Sequence, residues 1–205
     1  KPAFVTTLDD SYFEGFLYTF ASILKNTPNF NHDLVILEWG MLSLANKNII
    51  KKLYSNVHFK KVNIELYKNH KFSKKHRIWN YNCNYRFDIF TLNYDFVVYF
   101  DCDMLFELPA TELLMYDVDF GACQMPKYKK YEQVAGSKVF NAGLMLIGKK
   151  YLNENTKREL IQIANERPSK RTNWTGNQPI LNKYFLNKTV WLPNKYNLIS
   201  EDISI

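Results

Sequence analysis

Short apolar runs alternate along the chain with segments in which apolar residues recur every three or four positions. In the first part of the chain the order is strand, helix, strand, helix, strand. Strands are predicted at 3–7, 33–39 and 57–62, and helices at 12–25 and 43–54. Strands that alternate with helices at such short spacing predict an α/β fold with a mostly parallel, Rossmann-like central sheet flanked by helices.

Five consecutive apolar residues from Phe96 to Phe100 predict a strand that is buried on both faces. Asp101 and Asp103 follow directly, and in an extended backbone their side chains point to the same side. Two carboxylates so close together repel each other unless a cation lies between them, and oxygen ligands favour Mg²⁺ or Mn²⁺. Because ligands of open α/β sheets bind beyond the carboxyl ends of strands, we expect a metal–diphosphate site here. The alternative is an ordinary acidic turn.

The second half of the chain contains two more stretches with candidate chemistry. Asn141 lies in a long apolar strand beside the small residues Ala142 and Gly143, so it either orients a ligand or satisfies its own hydrogen bonds in a bulge. Asn177 and Gln178 open a helix, where they either face a bound anion or serve as N-capping residues. The elements predicted here are helices at 81–92, 149–166 and 177–185 and strands at 119–123, 139–148 and 190–192.

Basic residues concentrate in predicted loops. The stretch 68–76 predicts an exposed loop that is either a solvated surface or a lid over an anionic ligand, and Arg86 follows it on a predicted helix. The formal net charge of +7 suits a polyanionic small molecule, an acidic membrane surface or nucleic acid, without distinguishing among them. A nucleic-acid-binding module would cluster basic and aromatic residues on one face. Here the spacing of the apolar residues places most aromatic residues in the predicted core, so we expect no nucleic-acid partner.

The 205 residues suffice for one domain with a sizeable core, and no apolar run approaches the length of a transmembrane segment. The three cysteines, Cys83, Cys102 and Cys123, lack a metal-binding spacing and are expected to be free thiols in a reducing compartment. We therefore expect a cytoplasmic protein, in the host cytoplasm if its source is viral. We also expect residues 1–205 to be a single domain of a longer chain, and the sequence leaves the oligomeric state open.

Four stretches, taken in order, resemble the family 8 glycosyltransferases, the group of glycogenin and the bacterial lipopolysaccharide galactosyltransferases, which have a GT-A fold. Phe4–Tyr12 resembles the first strand and uridine-binding turn, and Tyr99–Asp103 resembles the metal-binding Asp-x-Asp motif. Phe140–Gly143 is similar to the acceptor- and sugar-side strand, and Gly176–Asn182 resembles a helix start that reads Asp-Gln-x-Ile-Leu-Asn in the family. The resemblance covers nearly the whole chain.

The resemblance implies a metal-dependent hexosyltransferase that uses Mn²⁺ or Mg²⁺. It would move a hexose, with glucose as the first expectation, from a UDP-sugar to a glycan or glycoprotein acceptor with retention of configuration. The alternatives are an inverting transferase of another UDP-sugar, such as a deoxyhexose, and a sugar-nucleotide-binding domain without activity. A haloacid-dehalogenase-type phosphatase also has Asp-x-Asp after an apolar strand. It is disfavoured because Leu105 stands where that motif has Thr or Val and about half of the chain precedes it.

The same resemblance assigns roles to individual residues. Tyr12 would stack on uracil, Thr7 and Asp9 would lie near the base and ribose, and Asp101 and Asp103 would bind the metal and the ribose–diphosphate. The catalytic set would be Gln178, Asn177 and Arg86. The full set that would bind the nucleotide-sugar is Thr6, Thr7, Asp9, Tyr12, Arg86, Asp101, Cys102, Asp103, Asn141, Ala142, Asn177 and Gln178.

Two departures from the family pattern affect the expected chemistry. Asn177 stands where the family usually has Asp, so it cannot act as a carboxylate. Gln178 is a neutral amide and a poor nucleophile, so we expect front-face transfer assisted by the leaving phosphate. An inverting reaction would instead need a carboxylate base on the acceptor side. The family's C-terminal His-x-x-Gly-x-x-Lys-Pro-Trp segment, which supplies a third metal ligand, is not found around His32, His58, His70 or His76.

Overall fold

Seven strands form a single sheet in the computed structural model, which describes residues 1–68, 84–125, 139–166 and 177–198. The strands are Pro2–Thr7 (β1), Asp33–Glu38 (β2), Val57–Lys61 (β3), Phe96–Phe100 (β4), Phe120–Gln124 (β5), Phe140–Gly148 (β6) and Val190–Leu192 (β7). Their order in the sheet is β3-β2-β1-β4-β6-β5-β7. β1 to β4 run parallel, β6 runs antiparallel to β4 and β5, and β7 runs parallel to β5. The predicted mostly parallel sheet is confirmed.

Helices cover both faces of this sheet. In the described ranges the α-helices are Phe13–Asn26 (α1), Leu44–Leu53 (α2), Glu154–Glu166 (α3) and Gln178–Phe185 (α4). None of the helices in these ranges has the length and apolar character needed to cross a membrane.

The central strand β4 is buried on both faces, as predicted. Val97 and Tyr99 belong to a core layer that also contains residues of α3 and α4. Val98 and Phe100 belong to the opposite layer, together with residues of α1 and α2. All four side chains are fully buried. The strand therefore ends at a fixed point in the middle of the sheet, and Asp101 begins there.

Helix α1 begins where Asp9 captures free backbone N–H groups. The Asp9 carboxylate accepts hydrogen bonds from the N–H groups of Ser11 and Tyr12, which sets up a 3-10 turn that leads into α1. Apolar side chains then recur at helical spacing and face the sheet. These buried side chains are Phe13, Phe16, Phe20 and Ile23.

The helix predicted at 81–92 is confirmed in its described part, where Asn84 is α-helical and the following residues form a tighter helix. The structure has a 3-10 helix at Tyr85–Thr91, and residues 81–83 lie outside the described ranges. Residues 85–90 are all buried, because the segment packs against β1, β2 and α3. An amphipathic α-helix would leave a polar face to solvent, whereas this short tight helix buries even its charged residues, Arg86 and Asp88.

The predicted continuous helix at 149–166 is wrong in its first residues. A 3-10 turn at Lys149–Tyr151 comes first, and α3 begins only at Glu154. The Asn153 side chain accepts a hydrogen bond from the N–H of Thr156 at 2.9 Å. An Asn at this position caps a new helix and ends the preceding turn.

A buried ion pair attaches the 3-10 helix to α3. Lys157 Nζ lies 2.8 Å from Asp88 Oδ1, and the two side chains are only 9% and 5% exposed. The Tyr67 hydroxyl donates a second hydrogen bond to the same carboxylate oxygen at 2.5 Å. Because the carboxylate is buried, these two partners provide the polar contacts that water makes with an exposed carboxylate.

Lys157→Met should lower the free energy of unfolding by about 3 kcal/mol, because it leaves the buried Asp88 carboxylate without its cation. Urea unfolding at neutral pH measures the effect. Lys150→Met is the matched control, since Lys150 pairs with Asp119 at 2.6 Å but the two side chains are 60% and 52% exposed. Exposed pairs contribute little, so the control should unfold like the unmodified protein. Equal losses in the two variants would contradict the role assigned to the buried pair.

Candidate functional site

The topology brings the predicted site residues to one edge of the sheet. β1 and β4 run parallel, so their carboxyl ends meet at this edge. β6 runs antiparallel to β4, so its first residues lie at the same edge. The Asp101 N–H donates to the Gly143 carbonyl at 2.8 Å, which continues the pairing one step beyond β4. Asp101 and the Asn141–Gly143 stretch are thus neighbours although 40 positions separate Asp101 from Asn141.

Among the described residues, the Asp101 carboxylate is held through one of its two oxygens. Its Oδ1 accepts hydrogen bonds from Arg86 at 3.0 Å and from the Tyr99 hydroxyl at 2.6 Å. The Arg86 guanidinium also lies over the Tyr99 ring, 4.7 Å from its centre. Within the described chain, Oδ2 of Asp101 has no hydrogen-bond partner. One oxygen therefore fixes the direction of the carboxylate.

Tyr99 is a site residue that the sequence analysis did not identify. Its hydroxyl lies 3.3 Å from Thr7 Oγ1, so it joins the end of β1 to the Asp101 carboxylate. Burial raises the pKa of Tyr99 well above its usual value, which keeps the hydroxyl protonated as a donor. A signal was available in the sequence, since Tyr99 precedes Asp101 by two positions and shares its face of the strand.

Arg86 and Gln178 meet at the backbone of Ala142. Arg86 donates its other terminal nitrogen to the Ala142 carbonyl at 2.8 Å. The Ala142 N–H donates to Gln178 Oε1 at 3.0 Å, and Gln178 Nε2 lies 3.1 Å from Met125 Sδ. A continuous set of contacts therefore runs from Asp101 through Arg86 and Ala142 to Gln178.

Asn141 and Gly143 form the other side of this arrangement. Asn141 Oδ1 accepts the Gly143 N–H at 2.7 Å and the Asn197 amide at 3.0 Å. A Cβ placed on Gly143 would lie 2.9 Å from Asn141 Oδ1 and 3.2 Å from Asp101 Oδ2. Only glycine allows these groups to approach so closely. Asn197, which follows a short 3-10 turn after β7, is a further residue that the sequence analysis missed.

The start of α4 is held against β6 by Asn182, also missed from the sequence. Its side chain accepts the Phe140 N–H at 2.9 Å and donates to the Phe140 carbonyl at 3.0 Å. It also donates to the Gln178 carbonyl at 3.0 Å. Asn177 is buried at the N-cap position but makes no capping hydrogen bond with its side chain. The side-chain capping reading of Asn177 is therefore not supported.

Asp9 and Tyr12 occupy the turn after β1. One Asp9 oxygen is taken up by the turn itself, and the Tyr12 ring is 44% exposed. No hydrogen bond in the described part of the chain joins these two residues to the Asp101 group. Thr6 is fully buried in β1, and its hydroxyl has no partner among the described residues.

Negative charge accumulates around the Asp-x-Asp motif. Burial, and after it the charge of Asp101, raises the pKa of the Asp103 carboxyl above its usual value. Burial and then the carboxylates of Asp101 and Asp103 raise the pKa of the Cys102 thiol to about 12, with a smaller contribution from Asp9. Cys102 and Cys123 are free thiols, as predicted, and Cys83 lies outside the described residues. The charge of Asp9 thus reaches the same region as the two motif carboxylates.

The described ranges contain no group of three His, Cys, Asp or Glu residues able to hold a metal ion. His32 packs against Phe4 and Phe30, and His58 lies 3.7 Å from Asp33 at the start of β2. Both are remote from the edge where β4 ends. His70 and His76 lie outside the described residues, as does the basic stretch 68–76 apart from Lys68.

Comparison with known proteins agrees with this geometry. Residues 4–203 match the protein family described as "Glycosyl transferase family 8". The chain belongs to glycosyl transferase family 8. It is also 32% identical over 106 residues to a "Probable glycosyl transferase Gly" from Streptococcus gordonii. That match covers 50% of this chain but only 15% of the relative.

Solved structures show the same fold at low sequence identity. The galactosyltransferase LgtC, solved with donor and acceptor sugar analogues, matches 94% of this chain and 74% of its own, with a TM-score of 0.76 and 21% identity. GlyE of Streptococcus pneumoniae TIGR4 matches 96% of this chain and 46% of its own, with a TM-score of 0.70 and 21% identity. The bifunctional WbbM matches 94% of this chain and 39% of its own, with a TM-score of 0.73 and 22% identity. The GT-A fold is therefore confirmed.

The raised pKa of the Asp103 carboxyl predicts a specific effect of Asp101→Asn. Removing the Asp101 charge should move the pKa of Asp103 down towards its usual value, because like-charge repulsion is lost. Carboxyl carbon NMR titration without added divalent cation measures this. Asp10 is the internal control: hydrogen bonds from Ser43 and Asn46 lower its pKa, and it should stay low in the variant. An unchanged Asp103 titration would show that the two carboxylates do not interact.

The sign of the linked stability change follows from the same shift. A carboxyl with a raised pKa binds more protons in the folded state than in the unfolded state, so stability falls as pH rises through the window between its usual pKa and the raised one. Asp101→Asn should flatten this fall. Urea unfolding across that pH range provides the second measurement.

Proposed function

We propose that this chain transfers a hexose, with glucose as the first expectation, from a UDP-sugar to a glycan or glycoprotein acceptor in a metal-dependent reaction. The observation that carries the proposal is the Asp101 carboxylate at the end of β4, fixed through Oδ1 by Arg86 and Tyr99 while Oδ2 has no partner among the described residues. Membership of glycosyl transferase family 8 supports the same reaction class.

The carboxylates have the chemistry of a divalent-cation site. Asp101 and Asp103 offer hard oxygen ligands two positions apart. Burial and, after it, the charge of Asp101 raise the pKa of Asp103, and a cation would relieve the second of these effects. Mg²⁺ and Mn²⁺ sites that act on phosphates commonly use one or two carboxylates, with phosphate oxygens and water completing the shell. Two protein ligands therefore fit a site that is completed by the nucleotide diphosphate. When bound, the cation would offset the charge that develops on the departing UDP.

The turn after β1 suits the nucleoside. The Tyr12 ring is exposed at the start of α1 and can stack on a base, since stacking needs only an accessible aromatic face. Asp9 accepts the Tyr12 N–H through Oδ1, so its carboxylate lies in the same turn, where base and ribose donors would lie. Thr7 follows along the same edge and contacts the Tyr99 hydroxyl. These groups run from the base end of the ligand towards its diphosphate end.

Arg86 and Gln178 define the reacting region between these ends. Arg86 places positive charge beside Asp101 and Ala142, next to where the diphosphate would bind. Gln178 holds the Ala142 N–H through Oε1, so its amide is oriented rather than free to attack. The hydrogen bonds of Asn141 and Gln178 go to backbone groups, an amide and a thioether, all neutral. We infer retention of configuration, with the leaving phosphate assisting the incoming hydroxyl.

Calorimetric titration with UDP, CMP and GDP, each with and without Mn²⁺, tests the proposal. UDP should bind in preference to the other two nucleotides, and more tightly with Mn²⁺. Asp103→Asn should reduce the Mn²⁺-dependent gain by more than about 10-fold, since even outer-shell changes at metal sites cost about 10- to 100-fold. Asp119→Asn, which changes an exposed carboxylate at the opposite edge, is the control and should bind normally. If UDP bound equally well with and without Mn²⁺, the proposed metal dependence would be overturned.

Tyr12→Ala should weaken UDP binding by about 1–3 kcal/mol, the usual contribution of one stacked base. Inorganic pyrophosphate, measured with Mn²⁺ in the same calorimeter, should bind the variant and the unmodified protein equally, because it has no base. Equal losses for UDP and pyrophosphate would contradict a stacking role for Tyr12.

A further inference from the structure

The two motif carboxylates are fixed in different ways. Asp101 is held by side-chain bonds from Arg86 and Tyr99. Asp103 reaches the surface although neighbouring protein partly desolvates its carboxyl, and its side chain has no hydrogen bond to another side chain in the described ranges. The direction of the Asp103 carboxylate therefore depends on the backbone that carries it, which is the segment 102–106.

One face of α1 holds that backbone. The Thr19 hydroxyl lies 2.9 Å from the Cys102 carbonyl and 3.0 Å from the Gly15 carbonyl, so its proton is shared between the two. Further along, the Phe106 N–H donates to Ser22 Oγ at 2.9 Å, and Asn26 Nδ2 donates to the Phe106 carbonyl at 2.6 Å. Thr19, Ser22 and Asn26, here called the polar seam, thus form hydrogen bonds with both ends of the segment that carries Asp103.

The seam has helical spacing and a close approach at its start. Gly15, Thr19, Ser22 and Asn26 are separated by four, three and four positions, which places them on one face of α1. A Cβ on Gly15 would lie 3.3 Å from the Cys102 carbonyl oxygen, closer than an ordinary contact. Gly15 therefore lets the helix approach the backbone of the Asp-x-Asp motif.

The same helix carries the proposed base-stacking residue at its N-terminal end. Tyr12 is the last residue of the 3-10 turn that leads directly into α1. A rigid helix with Tyr12 at its start and Asp103 attached to its side fixes the distance between the base end and the diphosphate end of the ligand. We propose that Thr19, Ser22 and Asn26 are positioning residues that set Asp103 for metal-dependent binding of the UDP diphosphate, an inference that rests on the proposed function.

Gly15→Ala and Thr19→Val test the proposal from two directions. Gly15→Ala replaces the poorest non-proline helix former, yet it pushes the Cys102 carbonyl by a few tenths of an ångström. Thr19→Val keeps the side-chain shape and removes the donor. Both should weaken UDP binding in Mn²⁺ by about 10-fold, as outer-shell changes at metal sites do, and leave uridine binding unchanged, because uridine has no diphosphate. Thr19→Ser should restore UDP binding.

Thr189→Val is the matched control. Thr189 donates to the carbonyl four positions earlier, Phe185, at 2.8 Å, as Thr19 does to Gly15, but it touches no backbone of the Asp-x-Asp motif. It should bind UDP and uridine normally. Unchanged Mn²⁺-dependent UDP affinity in both Gly15→Ala and Thr19→Val would overturn the proposal. An equal loss for UDP and uridine, with lowered thermal stability, would also overturn it, because the seam would then be merely structural.

Amide hydrogen exchange in the ligand-free protein separates this inference from the proposed function. Ser22→Ala should accelerate exchange of the Phe106 amide, which donates to Ser22, and leave the Asp101 amide, which donates to Gly143, unchanged. Failure of the unmodified protein to bind UDP with Mn²⁺ would defeat the proposed function, while faster Phe106 exchange would still support the seam. An unchanged exchange rate of the Phe106 amide in Ser22→Ala would overturn the positioning role of the polar seam, whatever the result of the nucleotide titrations.

Discussion

Repulsion between two carboxylates at the end of a buried strand is the constraint on which this site depends. β4 is fixed in the middle of the sheet, so the chain emerges at one place and presents Asp101 and Asp103 together. Their mutual charge is partly offset by Arg86, whose side chain is only 11% exposed and whose second nitrogen binds the Ala142 carbonyl. The pKa of the Asp103 carboxyl is nevertheless raised, first by burial and then by the charge of Asp101, and Arg86 opposes this shift only in part. This repulsion is the interaction that the proposed cation would relieve.

The support for the pair comes from both sides of the sheet. On one side, the 3-10 helix that carries Arg86 is tied to α3 by the Asp88–Lys157 pair. On the other side, α1 binds the backbone that carries Asp103. Each carboxylate is thus anchored to a different layer of the core, and β4 is the element that both layers share. A change in either layer would alter the geometry of one carboxylate relative to the other.

The sequence predicts those features of the fold and of the candidate site that depend on residues close together in the chain. The run from Phe96 to Phe100 predicts β4, and the position of Asp101 follows from where that run ends. The apolar pattern predicts a helix that includes Tyr85–Thr91, but it does not show that this helix is of the 3-10 type or that it is enclosed on every side. Tertiary packing, rather than local preference, decided its form.

The contact of Tyr99 with Asp101 could have been predicted, because residues two positions apart in a strand lie on the same face. The contacts of Asn182 and Asn197 could not. Asn182 acts on Phe140 from 42 positions away, and Asn197 acts on Asn141 from 56 positions away. Such contacts exist only once the sheet has brought distant strands and α4 together. Gly143 shows the consequence, because its backbone lies where Asn141, Asp101 and Asn197 converge. A Cβ there would clash with Asn141 Oδ1 and make a tight contact with Asp101 Oδ2. A glycine is visible at this position in the sequence. The need for it is not visible there, because it arises only where the fold brings three separate segments together.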